Sequence, residues 1–120
     1  MHTKNLFLKD KKDVLWLVVA EEDRPVDLKE LRSKIGAATL SFARADLLQR
    51  VLGVEPGSVT PFAVINDGDR RVRVVLDAGL LQAELLNFHP LANTATTAIT
   101  PDGLLRFLDA TGHAPLVVAI

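Results

Sequence analysis

No cysteine occurs among the 120 residues. That excludes a disulfide scaffold, a cysteine zinc site, thiol catalysis and iron–sulfur ligation, so a metal would have to be held by histidine and carboxylate. No apolar run approaches the roughly 18 residues of a membrane helix, and the start Met1-His2-Thr3-Lys4-Asn5 lacks the apolar core of a secretion signal. The expectation is a cytoplasmic chain, neither secreted nor held at a membrane. Net charge is nearly absent as well: 14 basic and 15 acidic residues give −1, so no bulk field draws a polyanion. Missing too are a Walker phosphate loop, a Rossmann glycine fingerprint, a nucleophile elbow and a paired-histidine metal motif. The histidines His2, His89 and His113 stand at no metal-ligand spacing. Neither repeat, low-complexity tract nor interdomain linker interrupts the chain.

What is present is apolar and periodic. With 48% apolar residues and a mean hydropathy of +0.22, a chain of this size can bury about two thirds of its unfolded surface without staples. Apolar runs at 4–8 and 14–20, broken by the charged residues 9–13, predict two strands of a hairpin. Residues 27–36 predict a short amphipathic helix with Asp27 as N-cap, Leu28, Leu31 and Ile35 inward, and Gly36 as its stop. Residues 44–52 repeat the pattern and end at Gly53. A second hairpin is expected from 62–66 and 71–76 around Asp67-Gly68-Asp69, with Arg71 and Arg73 on a wet face. A helical turn at 77–81, strands at 84–88 and 93–100, a helix at 101–112 capped by Thr100, and an apolar final strand at 116–120 complete the reading. The expected fold class is α/β (α+β): a single mixed, mostly antiparallel sheet with flanking helices, spanning 1–120 as one domain.

Three segments could carry chemistry. In the loop Gly53-Val54-Glu55-Pro56-Gly57-Ser58-Val59-Thr60-Pro61, glycine permits close backbone approach and proline fixes direction, so the amides of Gly57, Ser58 and Val59 could face a carbonyl or oxyanion. On local sequence alone the same loop is an ordinary helix-to-strand connection. In Asn87-Phe88-His89-Pro90-Leu91-Ala92-Asn93-Thr94, the proline holds His89 extended, among polar groups that are costly to bury idly. The third segment is Lys4-Asn5, polar residues on an otherwise apolar strand. The further lysines Lys9, Lys11 and Lys12 read as a solvated turn.

Taken together, Thr3-Lys4-Asn5-Leu6-Phe7-Leu8-Lys9-Asp10, Leu52-Gly53-Val54-Glu55-Pro56-Gly57-Ser58-Val59-Thr60-Pro61-Phe62, Asn87-Phe88-His89-Pro90-Leu91 and Asn93-Thr94 resemble the YbaK/prolyl-tRNA-synthetase-associated editing domain. The likeness is greatest to its freestanding PrdX-like branch, the alanyl-tRNA(Pro) deacylases. The resemblance implies a metal-free trans-editing hydrolase without a cofactor, whose partner is aminoacyl-tRNA, mainly mischarged alanyl-tRNA(Pro). It gives Lys4 the phosphate or ribose end of the terminal adenosine, and the loop amides at Gly57 and Ser58 the attacking water and the oxyanion. It places His89 beside the aminoacyl group. Substrate-binding positions implied in the same way are Asn5, Phe7, Gly53, Pro56, Val59, Thr60, Pro61, Asn93 and Thr94. Since the ester is already reactive, positioned water and the neighbouring ribose hydroxyl can suffice.

Members of the family usually carry a helical segment before the Thr-Lys-Asn-Leu-Phe strand, and here that strand begins at the third residue. The expectation is therefore an editing domain lacking that segment. Two other readings stand beside it: a cysteinyl-tRNA or broader-specificity deacylase of the same superfamily, and a truncated, non-catalytic tRNA- or nucleotide-binding module. No association with an elongation factor or a synthetase is assigned by the sequence.

Overall fold

In the computed structural model, which describes residues 1–88 and 97–120, the charged break after the first apolar run is a turn built around one carboxylate. Asp10 is buried and accepts hydrogen bonds from the backbone N–H of Lys12 (2.8 Å), Val14 (3.0 Å) and Ala38 (3.3 Å) and from Trp16 Nε1 (3.2 Å). Burial opposes its ionisation, but the hydrogen bonds from Val14, Trp16, Lys12 and Ala38 outweigh burial and hold the carboxyl below its ordinary value. Around this turn β1 (Thr3–Asp10) and β2 (Leu15–Glu21) pair antiparallel, Thr3 opposite Glu21 and Lys9 opposite Leu15, as the expected hairpin. β2 is buried continuously from Leu15 to Ala20 because both of its faces are covered.

The first helix, α1 (Leu28–Ile35), forms where its caps dictate. Asp27 accepts from the N–H of Lys29 and Glu30, and Gly36, at φ +69°, donates back to the Arg32 carbonyl. α1 buries Leu31 and Ile35 against Leu8, Trp16, Val18 and Val75. β3 (Leu40–Phe42) then adds to the outer edge of β1, but only over Leu8, Lys9 and Asp10. α2 (Ala45–Leu52) turns Leu48, Val51 and Leu52 to the opposite face of the sheet.

Here the structure corrects one expectation. Residues Pro61–Asn66 are a 3₁₀ helix, and β4 (Val72–Asp77) pairs with β2 in parallel, not with that segment in a hairpin. A four-residue apolar run does not distinguish strand from buried helical turn by periodicity. Pro61 occupies the first helical position, Ala63 and Val64 are buried, and Ile65 is 67% exposed. The Asp67-Gly68-Asp69 turn joins this helix to β4: Asp67 accepts from the N–H of Arg71 (3.1 Å) and Val72 (2.8 Å), and the intervening Arg70 takes φ +55°. The alternation within β4 holds as expected, with Val72 and Val74 buried and Arg71 and Arg73 exposed.

A 3₁₀ turn follows at Ala78–Gln82, then β5 (Leu86–Phe88) and β6 (Thr97–Ile99), which pair antiparallel. α3 (Pro101–Ala110) starts with Thr100 Oγ1 accepting from Gly103 N–H, and β7 (Leu116–Val118) lies parallel to β4. The larger sheet runs β3-β1-β2-β4-β7. In it β3-β1 and β1-β2 are antiparallel and β2-β4 and β4-β7 parallel, while β5-β6 is a separate antiparallel pair; a mixed sheet with helices on its faces is the expected α/β class. α2 and α3 cover Phe7, Leu17, Val19, Val74 and Leu76, while α1 covers the other face.

Candidate active site

The outer edge of β1 is only partly paired. At its start, Asn87 of β5 donates to the Met1 carbonyl (2.8 Å) and accepts from Thr3 Oγ1 (2.8 Å), with His2 bridged to Asn87. At its end β3 takes over from Leu8, and Ala43 N–H reaches the Phe7 carbonyl. Between them, residues 4–6 have no strand beside them on that side among the described residues. A hollow of about 160 Å³ opens there, lined by Asn5, Leu6, Phe7, Phe42, Ala43, Leu48, Pro56 and Val59. It is smaller than the ~300–1,000 Å³ of drug-sized ligand pockets and suits a group of a few heavy atoms.

Four residues singled out from the sequence, Asn5, Phe7, Pro56 and Val59, therefore meet in one place. Strand alternation puts Asn5 and Phe7 on the α2 side. Asn5 Oδ1 is buried without a hydrogen-bond partner among the described residues. An orphaned amide oxygen at a pocket is an acceptor reserved for a ligand's donor or for water.

The glycine–proline loop is a built turn. Pro56–Ser58 forms a single 3₁₀ turn in which Ser58 N–H donates to the Glu55 carbonyl (2.9 Å), so that amide is already used. Gly57 and Val59 N–H make no such bond among the described residues, which leaves two of the three expected donors for a ligand. Gly53 has a different task. At φ +68° it closes α2 through the Gln49 carbonyl, and a Cβ there would lie 3.3 Å from Asn66 Nδ2, which itself donates to the Leu52 carbonyl (2.9 Å). Pro61 opens the following 3₁₀ helix and is buried, and Thr60 Oγ1 is another buried oxygen without a partner among the described residues.

Lys4 is not brought to this group. The alternation of β1 sends its side chain to the α1 side with Leu6 and Leu8, and its Nζ donates to the Arg24 carbonyl. His89, Asn93 and Thr94 lie outside the described residues. Reading by motif missed Phe42, Ala43 and Leu48. Phe42 is 64% exposed at the end of an edge strand, and no local signal in the sequence marks it.

The buried His113–Asp67 pair is a strut. His113 Nε2 lies 2.9 Å from Asp67 Oδ2, and Nδ1 lies 2.9 Å from Thr111 Oγ1. It ties the end of α3 to the turn before β4. Burial disfavours ionised Asp67, yet hydrogen bonds from Val72, His113 and Arg71 prevail and lower its carboxyl below the ordinary value. Among the described residues no three His, Asp or Glu side chains converge as metal ligands would.

Comparison with known proteins bears on the same stretch. The aminoacyl-tRNA editing domain matches residues 2–107. Prolyl-tRNA synthetase associated domain-containing protein 1 of Danio rerio is 45% identical over 119 residues, covering 98% of this chain and 65% of that protein. The prolyl-tRNA editing protein ProX of Acetoanaerobium sticklandii is 42% identical over 111 residues, covering 92% of this chain and 68% of its own length. The chain thus spans about two thirds of the curated relatives it matches. The crystal structure of a candidate trans-editing enzyme for prolyl-tRNA synthetase superposes with a TM-score of 0.77 at 19% identity, over 98% of this chain and 68% of that one. At that identity the likeness establishes the fold.

Proposed function

Because this chain belongs to the aminoacyl-tRNA editing domain family, we propose that it hydrolyses the ester of mischarged alanyl-tRNA(Pro), acting in trans in the cytoplasm. The observation that carries the reading is the small hollow at the edge of β1, where among the described residues Asn5 Oδ1 has no hydrogen-bond partner and the Gly57 and Val59 amides of the adjoining turn make no backbone bond. The aminoacyl group enters there. Asn5 Oδ1 accepts from its ammonium or from a ribose hydroxyl. The loop amides receive the negative charge that develops on the carbonyl oxygen as water adds. Water forms the new carbon–oxygen bond, the bond to the ribose oxygen breaks, and a proton passes to that oxygen, giving free alanine and tRNA. The neighbouring ribose hydroxyl assists by holding the water, and no metal is required. The family resemblance is the ground for giving His89, Asn93 and Thr94, which lie outside the described residues, a role toward the aminoacyl group.

Lys4 is assigned the phosphate or ribose end of the terminal nucleotide. To serve it, the ammonium must leave the Arg24 carbonyl and reach round the strand edge, which a flexible four-carbon stem allows. Selectivity follows from size. The walls Phe7, Leu48 and Val59 are assigned the crowding of a prolyl ring, whereas glycine, one methyl smaller than alanine, is rejected only weakly.

The test is hydrolysis of alanyl-, prolyl-, seryl- and cysteinyl-tRNA(Pro) by the purified chain. Alanyl ester is expected to be cleaved and prolyl ester spared. Equal rates on alanyl and prolyl esters, or none on any ester, would overturn the reading. Cysteinyl ester cleaved faster than alanyl would move the specificity to the sister branch.

A further inference from the structure

Beyond the wall formed by Phe42 and Ala43 lies a second, larger hollow of about 630 Å³, an open groove rimmed by Lys9, Arg44, Arg50 and Arg71, with Asp13 and Asp46 the carboxylates along it. Four cations against two anions leave a local charge of +2 on a chain whose total is −1. The pairs that form are surface pairs: Lys9 to Asp13 at 3.4 Å, and Arg44 and Arg50 sharing Asp46 at 3.3 and 3.8 Å. Arg71 has no carboxylate partner among the described residues. Exposed pairs of this kind exchange readily for another anion.

Phe42 stands between the groove and the small pocket, lines both, and is 64% exposed. No other aromatic ring packs on it among the described residues. An uncovered ring beside a row of arginines fits a flexible anionic chain with flat bases, since phosphates take the cations and a base takes the ring face.

We infer that this groove is a track for the RNA backbone, with Phe42 as the platform for an unpaired base near the 3′ end, so that the strand is led from the arginines over Phe42 into the pocket beside Asn5. The inference rests on the deacylase reading for what the pocket holds, but the groove can be tested apart from it. A protein segment docking on Phe42 is the competing occupant, and the experiment separates the two.

The experiment measures binding of the full chain to two uncharged RNAs, a hairpin duplex with a four-nucleotide single-stranded 3′ tail and the same hairpin cut blunt, across a range of salt. It also measures KM and kcat on alanyl-tRNA(Pro). Tailed RNA is expected to bind more tightly than blunt RNA, with affinity falling steeply with salt. Arg44→Gln and Arg71→Gln should each lower the slope of log K against log salt by about 0.7–0.9. Phe42→Ala should cost about ten-fold on tailed RNA and nothing on blunt RNA, and should raise KM while leaving kcat in place. Lys29→Gln with Arg32→Gln, removing two exposed charges from α1 on the other face, should leave the slope unchanged. The single variants are surface changes, and matched unfolding midpoints show that they fold.

The groove assignment is overturned if the chain binds neither RNA, or if Arg71→Gln and Phe42→Ala leave slope, tail preference and KM as they were. Ester cleavage with those parameters unchanged sinks the groove and spares the deacylase reading. RNA binding with the expected slopes but no cleavage of any ester does the reverse.

Discussion

Replacing Asp10 by asparagine tests whether one buried carboxylate organises the strand that carries the site. Oδ1 accepts from Lys12 and Val14, and Oδ2 from Trp16 and Ala38. Whichever way the amide is turned, its NH₂ meets two donors and leaves them unpaired. Each buried unpaired donor costs roughly 1–3 kcal/mol, so Asp10→Asn should lose about 3 kcal/mol, a large share of the ~5–15 kcal/mol that stabilises a typical domain. The assay is urea unfolding followed by fluorescence of Trp16, the single tryptophan, whose indole N–H is one of the four donors. The pH dependence supplies the sign. The folded pKa of Asp10 lies below its unfolded value, so its contribution is complete above the unfolded value and fades as pH falls through the folded one. The gap between wild type and Asp10→Asn should therefore be full at pH 6 and narrow steadily below about pH 4. A gap under about 0.5 kcal/mol at pH 6, within the ordinary range for surface changes, or one that stays constant into acid, refutes the account.

Asn5→Ala should lower kcat/KM at least ten-fold while leaving the urea midpoint unchanged or slightly raised, because the lost oxygen has no partner among the described residues; a matched fall in stability would assign it a structural role. Lys4→Ala should remove most of the deacylation rate, and full activity would end the role given to that ammonium. Gly53→Ala should cost about 1–2 kcal/mol from its left-handed backbone, read as a lower thermal midpoint. His113→Ala should cost about 1–3 kcal/mol by removing one of the three hydrogen bonds that buried Asp67 accepts, with little change in KM because His113 does not line the pocket.

Where a signal was local, the sequence alone sufficed. Asp27 and Gly36 bound α1, Gly53 ends α2, and Thr100 with Pro101 starts α3, each through a cap that depends on neighbours within a few residues. The segment Pro61–Asn66 defeated the same reasoning because strand or 3₁₀ helix is decided there by what receives Ala63 and Val64, and by the parallel partner β4 finds in β2, far away in sequence. Half of the candidate site was visible in the same way. Asn5, Phe7, Pro56 and Val59 were chosen by motif and do converge. The resemblance gives Lys4 a role next to Asn5, whereas a period of two sends these adjacent residues to opposite faces. Phe42 was passed over because nothing local distinguishes an exposed ring that serves a groove from one that merely ends a strand.

The stretch of β1 that has no neighbouring strand among the described residues also bears on solubility. A row of free strand N–H and C=O groups is the usual template on which a second copy adds its own edge, and lysine on or beside such a row is a common defence. Lys4 and Lys9 both lie on β1, so a strand added along this edge would meet lysine-bearing backbone. A chain in which β3 ran two residues further would be better protected and would have no pocket. The width of that gap thus sets how much substrate access the fold can offer before its edge begins to recruit copies of itself.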